Sequence, residues 1–377
     1  MAAPRATVWD LQPHTRAKHE ILKRYMQAWT PILTRGGHKE VLYIDGFAGP
    51  GKYSGGEPGS PVIALRTALE YREHIDSDVY FYFVEKDLRR AEVLEKVVAE
   101  IERPSNFRVK VVGGMAFAEA FEDLRRRYHR FRGTLPPTFA FIDPFGWSGV
   151  PFSVVREIMS YRSCEVMVTF MYEEINRFIG HPDQEANFDR FFGTKGWRKG
   201  INTRNSRERN RFLHDLYMKQ LRERAGAAHV RSFEMRNEHD VTDYFLFHAT
   251  NSIRGLQKMK EAMWKVDESG GFTFSDATDP NQLVLFEKKP RFDVLRRQIL
   301  ERFAGRTVTV GEIEHFVLTE TAFRETHYKR WVLRDLECSE PQRLVVVDAP
   351  PKRRRGTYGN KSLRLRFHPV ASSTSIR

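Results

Sequence analysis

The residues best suited to chemistry stand where an apolar run breaks into glycines. The apolar residues 41–44 end at Asp45, and residues 46–51 then read Gly-Phe-Ala-Gly-Pro-Gly. A buried parallel strand that turns at a ligand has this form. Glycine has no Cβ and adopts positive φ, so Gly46, Gly49 and Gly51 let the backbone approach a bound molecule closely. A carboxylate at the strand tip can orient a cationic or hydroxyl-bearing ligand.

The same glycines permit other interpretations. Gly46, Gly51 and Lys52 match the first seven positions of a phosphate-binding P-loop, G-x-x-x-x-G-K-[ST]. The eighth residue is Tyr53, which replaces the small hydroxyl residue that holds Mg²⁺. A P-loop also leads directly into a helix, whereas residues 54–60 read Ser-Gly-Gly-Glu-Pro-Gly-Ser. A P-loop nucleotide hydrolase and a purely structural glycine turn stay as alternatives to a cofactor-binding turn.

Further strands along the chain end in residues that can face a ligand. Helical periodicity separates the apolar runs, and such alternation indicates βαβ units and a parallel sheet. Ligands of these sheets lie beyond the carboxyl ends of the strands, where the strand order reverses. The residues that end the predicted strands are Asp45, Glu85, Gly113 and Asp143. We therefore expect them on one edge of a Rossmann-like α/β sheet of about seven strands.

The turn D-x-F-A-G-x-G after the first strand resembles motif I of S-adenosylmethionine-dependent methyltransferases, especially those that methylate amino groups of nucleic acids. The resemblance implies a class I methyltransferase sheet and S-adenosylmethionine as cofactor. Glu85 is then placed to accept hydrogen bonds from the ribose hydroxyls, and Asp45 to meet the methionine ammonium. The expected cofactor-binding residues are Lys18, Asp45, Gly46, Phe47, Gly49, Gly51, Glu85, Gly114 and Met115.

The segment Asp143-Pro144-Phe145-Gly146 resembles the [DNS]-P-P-[YFW] motif of amino-methyltransferases. In that chemistry the carboxylate and the proline carbonyl accept hydrogen bonds from the amine, while an aromatic ring stacks on a flipped base. Here Gly146 stands where the ring is expected, so Trp147 is the candidate to replace it. We predict Asp143, Pro144, Phe145 and Trp147 as catalytic residues. The structural alternative is a strand-ending Asp-Pro turn with a buried Phe.

A wider set of motifs resembles the three-Cys-motif partner proteins (TcmP). The set comprises T-x-x-K-x-x-x-L-x-x-Y-x-x-x-W at residues 15–29, Y-I-D-G-F-A-G-P-G at 43–51, G-S-P at 59–61, I-D-P-F-G-W at 142–147 and M-K-x-x-M-W at 259–264. The resemblance covers nearly the whole chain and implies a methyltransferase-like fold. It also implies a companion protein with a cysteine motif, whose ligands suggest an iron–sulfur, radical-SAM-like protein.

The character of the chain changes near residue 290. Residues 1–285 hold the predicted sheet, with a basic segment inserted around 172–225, and residues 280–290 read as a linker. Residues 291–377 show three helix stripes and then two strands, which is typical of a winged helix. They carry 18 Lys and Arg against 10 Asp and Glu, so +8 of the net charge of +13 lies here. The predicted phosphate-contacting residues of nucleic acid, at the hairpin tip, are Lys352, Arg353, Arg354 and Arg355; a protein-docking winged helix is the alternative.

Charge and cysteine content narrow the function classes. A net charge of +13 favours a polyanionic partner, with DNA preferred to RNA in our prediction. The only cysteines, Cys164 and Cys338, indicate neither a disulfide framework nor a metal cluster, and a reducing cytoplasmic location is expected. No apolar run reaches the ~18 residues of a membrane helix.

Two functions fit these observations. The first is a methyltransferase that acts on an amino group of a base in nucleic acid. The second is a catalytically degenerate methyltransferase fold that serves as a nucleic-acid-binding partner subunit. The altered Asp143 motif keeps the second hypothesis open.

Overall fold

The computed structural model describes residues 6–269, 271–275 and 290–369. These residues divide into two compact units. The first unit consists of residues 6–266 and 273–275, and the second of residues 267–269, 271–272 and 290–369. The predicted linker at residues 280–290 lies, except for its last residue, outside the described residues.

An eight-stranded sheet forms the centre of the first unit. Its strands are β1 Glu40–Asp45, β2 Asp78–Glu85, β3 Phe107–Gly113, β4 Thr138–Ile142, β5 Cys164–Phe170, β6 His229–Arg236, β7 Thr242–Thr250 and β8 Thr273–Ser275. The spatial order is β3-β2-β1-β4-β5-β7-β6-β8. β7 runs antiparallel to β5 and β6, and the other neighbours pair in parallel. This order confirms the predicted Rossmann-like methyltransferase sheet.

Helices cover the sheet. They are α1 Pro13–Thr34, α2 Ser60–Leu69, α3 Leu88–Ala99, α4 Phe117–Arg132, α5 Phe152–Ser160, α6 Tyr172–Phe178, α7 Glu185–Phe192, α8 Ser206–Glu223 and α9 Ile253–Val266. β8, which follows α9, adds an eighth strand to the seven predicted. Its three residues are too few for the alternation that reveals a strand in sequence. Within the described part of the chain, no helix is long and apolar enough to cross a membrane.

The inserted segment 172–225 contributes to the hydrophobic core. β4 and β5 are buried along their whole length, which explains their continuous apolar sequences. One hydrophobic cluster joins these strands to Phe121 of α4, Val155 of α5, Phe188 of α7 and Tyr217 of α8. The phenylalanines of residues 188–192 are buried in this cluster, because an aromatic face stabilises the fold most when it is removed from water.

The second unit has the predicted winged-helix architecture. Its elements are α10 Phe292–Phe303, β9 Thr307–Thr309, α11 Val310–Glu320, a π-helical turn Lys329–Leu333, α12 Arg334–Cys338, β10 Leu344–Val346 and β11 Arg364–Phe367. The strands form an antiparallel sheet in the order β10-β11-β9. Thr309 and Glu312 form a capping box that fixes the start of α11.

Candidate active site

A cavity of about 780 Å³ opens at the carboxyl ends of β1, β2, β3 and β4. It spans the point between β1 and β4 where the strand order reverses, and ligands of open α/β sheets bind at such points. Its volume is typical of small-molecule and cofactor sites. The predicted site residues that it brings together are Gly46, Phe47, Glu85, Met115, Pro144 and Phe145.

Glu85 ties two of the lining segments together. Its side chain accepts hydrogen bonds from the backbone N–H of Gly49 at 2.9 Å and of Asp87 at 2.8 Å. Burial raises the pKa of Glu85, and these two hydrogen bonds oppose the rise. Each carboxylate oxygen has a second lone pair, so Glu85 can still accept hydrogen bonds from a ligand.

The glycines after the strands allow close packing. A Cβ on Gly46 would lie 2.9 Å from the ring of Phe117, which lines the same cavity. Gly51 has a φ of +75°, and its Cβ would lie 2.6 Å from Leu94. Gly114 donates its N–H to the backbone oxygen of Glu85 at 3.0 Å and precedes the cavity-lining Met115. A side chain at Gly46 would therefore displace a wall of the site, and one at Gly51 would displace the buried Leu94.

A second cavity, of about 80 Å³, adjoins the glycine loop and is lined by Lys18, Gly49, Gly51, Asp143 and Phe145 among others. The Nζ atom of Lys18 lies 2.5 Å from Oδ2 of Asp143. Thr169 donates a hydrogen bond from Oγ1 to Oδ1 of Asp143 at 2.6 Å. Both oxygens of Asp143 therefore have a partner within the protein. Lys18 was predicted at the ligand site, and the structure places it on the predicted catalytic carboxylate.

Asp45 lies behind the cavities. Its side chain is fully buried and lines neither of them. Phe47 donates its N–H to Oδ1 at 3.2 Å, whereas Oδ2 accepts no hydrogen bond from the residues described. Burial, helped by the charges of Asp143 and Glu85, raises the pKa of Asp45 to about 7 despite hydrogen bonds from Ser60 and Phe47. The predicted contact with a ligand ammonium therefore requires movement of the glycine loop.

The structure corrects the prediction for Trp147. Its side chain is buried, and its ring stacks on Phe188 of α7 with 5.0 Å between centroids and 8° between planes. A ring packed in the core cannot stack on a base. The proposed replacement of the missing motif aromatic by Trp147 was therefore wrong.

The sequence interpretation missed Trp9 and Arg90, which surround Phe145. The rings of Trp9 and Phe145 lie 5.3 Å apart. The guanidinium of Arg90 lies 5.0 Å from the ring of Trp9 and 6.0 Å from that of Phe145. Trp9 also accepts a hydrogen bond from the N–H of Ser54 at its backbone oxygen, so the segment before α1 lies across the glycine loop. The one signal in the sequence was an isolated aromatic residue in a polar N-terminal stretch.

The glycine loop does not have the form of a P-loop. Lys52 forms an isolated β-bridge with Pro58, and α2 begins only at Ser60. A P-loop requires a helix N-terminus directly after the glycines. The geometry therefore disfavours the nucleotide-hydrolase interpretation.

The four basic residues of the wing have different surroundings. Lys352, Arg354 and Arg355 are exposed. Arg353 instead pairs with Glu337 through two hydrogen bonds of 2.7 and 2.8 Å, and its side chain is 9% exposed. Although burial opposes ionisation, hydrogen bonds from Arg353, Tyr358 and Gly356 lower the pKa of Glu337 to about 2. This pairing removes Arg353 from the predicted phosphate contacts.

A comparison with known protein families agrees with the winged-helix architecture of the second unit. Residues 273–345 match the family described as the GMT-like wHTH domain. The match includes α10, α11 and α12 but ends before β11. No curated protein has a significant match to the chain.

Solved structures resemble the chain only distantly. Protein LPL1258 from Legionella pneumophila is 12% identical over 64% of this chain and 85% of its own, with a TM-score of 0.38. Trm1 from Pyrococcus horikoshii, solved with S-adenosyl-L-methionine, is 14% identical over 70% of this chain and 61% of its own, with a TM-score of 0.32. A DUF574 family protein from Streptomyces avermitilis is 12% identical over 62% and 83%, with a TM-score of 0.33. Similarity this low carries no argument, and the fold assignment depends on the strand order.

Proposed function

We propose that the protein binds S-adenosylmethionine in the 780 Å³ cavity and methylates an amino group of a nucleic-acid base. The observation that supports this most is the position of the cavity. It lies at the reversal point of a methyltransferase-type sheet, with the carboxylate of Glu85 in its wall and the Asp143-Pro144-Phe145 segment beside it. The cofactor supplies an electrophilic methyl group, so the protein needs mainly to position the acceptor.

The lining residues suit the parts of this cofactor. Glu85 accepts hydrogen bonds from the ribose hydroxyls, using the lone pairs that Gly49 and Asp87 leave free. Met115 and the buried ring of Phe117 provide an apolar wall for the adenine. Gly46 lets the backbone approach the ligand, since it carries no side chain toward the cavity.

The acceptor amine is placed beside Pro144, whose carbonyl accepts one of its hydrogen atoms in a hydrogen bond. Asp143 accepts a hydrogen bond from the other hydrogen atom of the amine. It does so either with a free lone pair or after the amine displaces Lys18. Phe145 is 39% exposed and provides the ring against which the base stacks, held from behind by Trp9 and Arg90. The winged helix holds the nucleic acid through phosphate contacts.

Calorimetry tests the cofactor assignment. Titration of the full chain with S-adenosylmethionine is expected to show one site, and Glu85→Ala is expected to weaken binding roughly 10- to 100-fold, the effect of losing a charge-assisted hydrogen bond. Glu95→Ala, which removes an exposed carboxylate of α3, is the matched control. Absence of binding to the folded protein at about 1 mM ligand would refute the proposal. This concentration corresponds to a binding free energy of roughly −4 kcal/mol.

A second candidate function is favoured by the surroundings of Asp143. Because Lys18 and Thr169 already occupy both carboxylate oxygens, the protein can keep a cofactor pocket and transfer no methyl group. It would then act as a nucleic-acid-binding subunit. Incubation with labelled cofactor and DNA or RNA separates the two functions. Label transfer that Asp143→Ala abolishes, and that the exposed-site control Asp183→Ala preserves, excludes the passive role.

The companion implied by the TcmP resemblance is a further part of the proposal. A protein with a cysteine motif and an iron–sulfur cluster would act together with this chain. Co-expression and co-purification of the two chains test the pairing. Separate elution on size-exclusion chromatography at micromolar concentration would count against it.

A further inference from the structure

A separate cavity of about 360 Å³ opens at the opposite end of the sheet. It lies where β5 begins and β7 ends, between α1 and α9. Its walls include Tyr25 and Trp29 of α1, Glu165 of β5, and Thr250 and Gly255 near the start of α9. Tyr25 and Trp29 are both buried.

Several polar atoms in these walls lack a partner. Glu165 is 6% exposed, and its Oε2 atom accepts no hydrogen bond from any described residue. Nε2 of His248 lies 3.4 Å from it. The indole N–H of Trp29 is also buried without a hydrogen bond in the described structure. The hydroxyl of Tyr25 faces the Glu165 carboxylate, and burial together with that carboxylate raises the pKa of Tyr25. Buried polar groups are nearly always paired in native proteins, so Oε2 of Glu165 is an acceptor that a ligand or an ordered water can satisfy.

Gly255 packs directly against two of these groups. A Cβ at this position would lie 2.8 Å from Oε2 of Glu165, 3.0 Å from Oγ1 of Thr250 and 3.3 Å from the hydroxyl of Tyr25. Three oxygen atoms from three elements therefore converge beside the glycine, which leaves no room for a side chain. Any other residue at 255 would have to displace at least one of them.

The mouth of the cavity carries positive charge. Arg162 and Arg254 line it and are exposed. Neither arginine has an ion pair with another described residue, whereas Lys258, also at the mouth, pairs with Glu261 at 2.8 Å. The cavity thus offers a buried hydrogen-bond acceptor at its inner end, aromatic side walls and two free guanidinium groups outside.

We propose that this cavity binds a nucleoside phosphate. The amino or imino N–H groups of the base donate to Oε2 of Glu165, and the rings of Tyr25 and Trp29 contact the base. The phosphate pairs with Arg162 and Arg254, whose planar guanidinium groups suit phosphate oxygens. The site is independent of the proposed methyltransferase cavity, because it uses other residues at the other end of the strands.

Calorimetry with the full chain tests the ligand class. The probes are GMP and AMP, with guanosine and inorganic phosphate as partial ligands. At least one nucleotide is expected to bind about tenfold or more tightly than either partial ligand, since it alone reaches both ends of the cavity. The proposal is overturned if neither nucleotide binds at about 1 mM, or if inorganic phosphate alone binds as tightly as the nucleotides.

Variants locate the site. We expect Gly255→Ala to weaken nucleotide binding about tenfold or more and to leave S-adenosylmethionine binding unchanged. We expect the same result for Glu165→Gln, a second variant that keeps the shape of the side chain. The double variant with Arg162→Ala and Arg254→Ala should also weaken nucleotide binding and leave S-adenosylmethionine binding unchanged. Its matched control is Arg204→Ala with Arg222→Ala, which removes two exposed arginines elsewhere on the first unit. Equal nucleotide affinity in the wild type and in folded Glu165→Gln would show that the site is elsewhere.

Discussion

The two ends of the sheet hold buried carboxylates with opposite hydrogen-bonding states. At the carboxyl ends, Glu85 accepts two backbone N–H groups, and Asp143 is bonded by Lys18 and Thr169. At the amino ends, Glu165 keeps an oxygen that no described residue satisfies. A satisfied carboxylate holds segments of its own chain in place, whereas an unsatisfied one leaves a desolvation cost that a ligand or water can remove. The difference separates carboxylates that their own chain already holds in place from one that keeps an unpaired oxygen.

Asp45 gives the strongest test of this distinction, because it lies at the carboxyl end and still has an unpaired oxygen. Its pKa rises from 3.8 to about 7, mainly through burial. The folded state then binds the proton more tightly than the unfolded state does. This stabilisation is complete below pH ~4 and is lost as the pH rises to ~7, an effect of roughly 4 kcal/mol.

Urea unfolding of the wild type and of Asp45→Asn at several pH values measures this effect. The wild type should lose stability relative to the variant as the pH rises, and the gap should stop changing above pH ~8. Parallel curves for the two proteins would mean that Asp45 ionises normally. A ligand or bound cation would then have to satisfy its second oxygen.

Glu337 of the second unit shows what a fully satisfied carboxylate contributes. It accepts hydrogen bonds from Arg353, Gly356 and Tyr358. Arg353→Ala leaves the buried carboxylate with only the two weaker donors, so we expect a loss of roughly 3 kcal/mol in the free energy of unfolding. The neighbouring change Arg354→Ala, at an exposed side chain, should cost less than about 0.5 kcal/mol. Similar losses in the two variants would show that the pairing of Arg353 with Glu337 does not stabilise the second unit.

The same substitution is expected to affect the free energy of unfolding differently at the two ends of the sheet. Glu85→Gln removes one acceptor from a pair of backbone donors, so it should destabilise the protein by roughly 1–3 kcal/mol. Glu165→Gln removes the charge of an incompletely paired buried carboxylate and should leave stability unchanged or raise it by roughly 1 kcal/mol. Denaturation of both variants at pH 8 measures the difference. Destabilisation of equal size at both ends would contradict the distinction between them.

The sequence predicted those features that depend on local pattern. The strands were visible because apolar runs end in Asp45, Glu85 and Asp143, and parallel strands bring such ends together. The pairing of Lys18 with Asp143 was only half visible, since Lys18 was among the expected cofactor-binding residues but its partner was not predicted.

The features that were missed depend on contacts between distant segments. Trp147 joins the core because α7, about forty residues later, brings Phe188 onto its ring. The amino-end cavity requires Gly255 to meet Glu165, ninety residues earlier in the chain. The guanidinium of Arg353 pairs with Glu337, which lies on the helix before the hairpin. No local pattern reports which buried polar atom will be paired.

The same distinction between paired and unpaired groups applies to the cations of the wing, where the effect on stability is smallest. Lys352, Arg354 and Arg355 are exposed, and no acidic side chain among the described residues pairs with them, although Arg355 donates a hydrogen bond to the backbone oxygen of Glu337. Each phosphate neutralised on duplex DNA contributes about −0.9 to the slope of log affinity against log salt concentration. Replacing the three by alanine should therefore flatten that slope by roughly 2–3 units and change stability by less than about 0.5 kcal/mol.

A matched triple variant separates wing contacts from general charge. Arg297, Arg302 and Arg306 are also exposed residues of the second unit, and their replacement by alanine lowers the net charge equally. If the wing contacts phosphates, the control keeps most of the parental slope, because screened charges away from the interface release few counterions. Equal flattening by both triple variants would show that only the overall charge of the unit matters. A parental slope in the wing variant would instead favour a winged helix that docks onto protein, since such a surface needs no phosphate contacts.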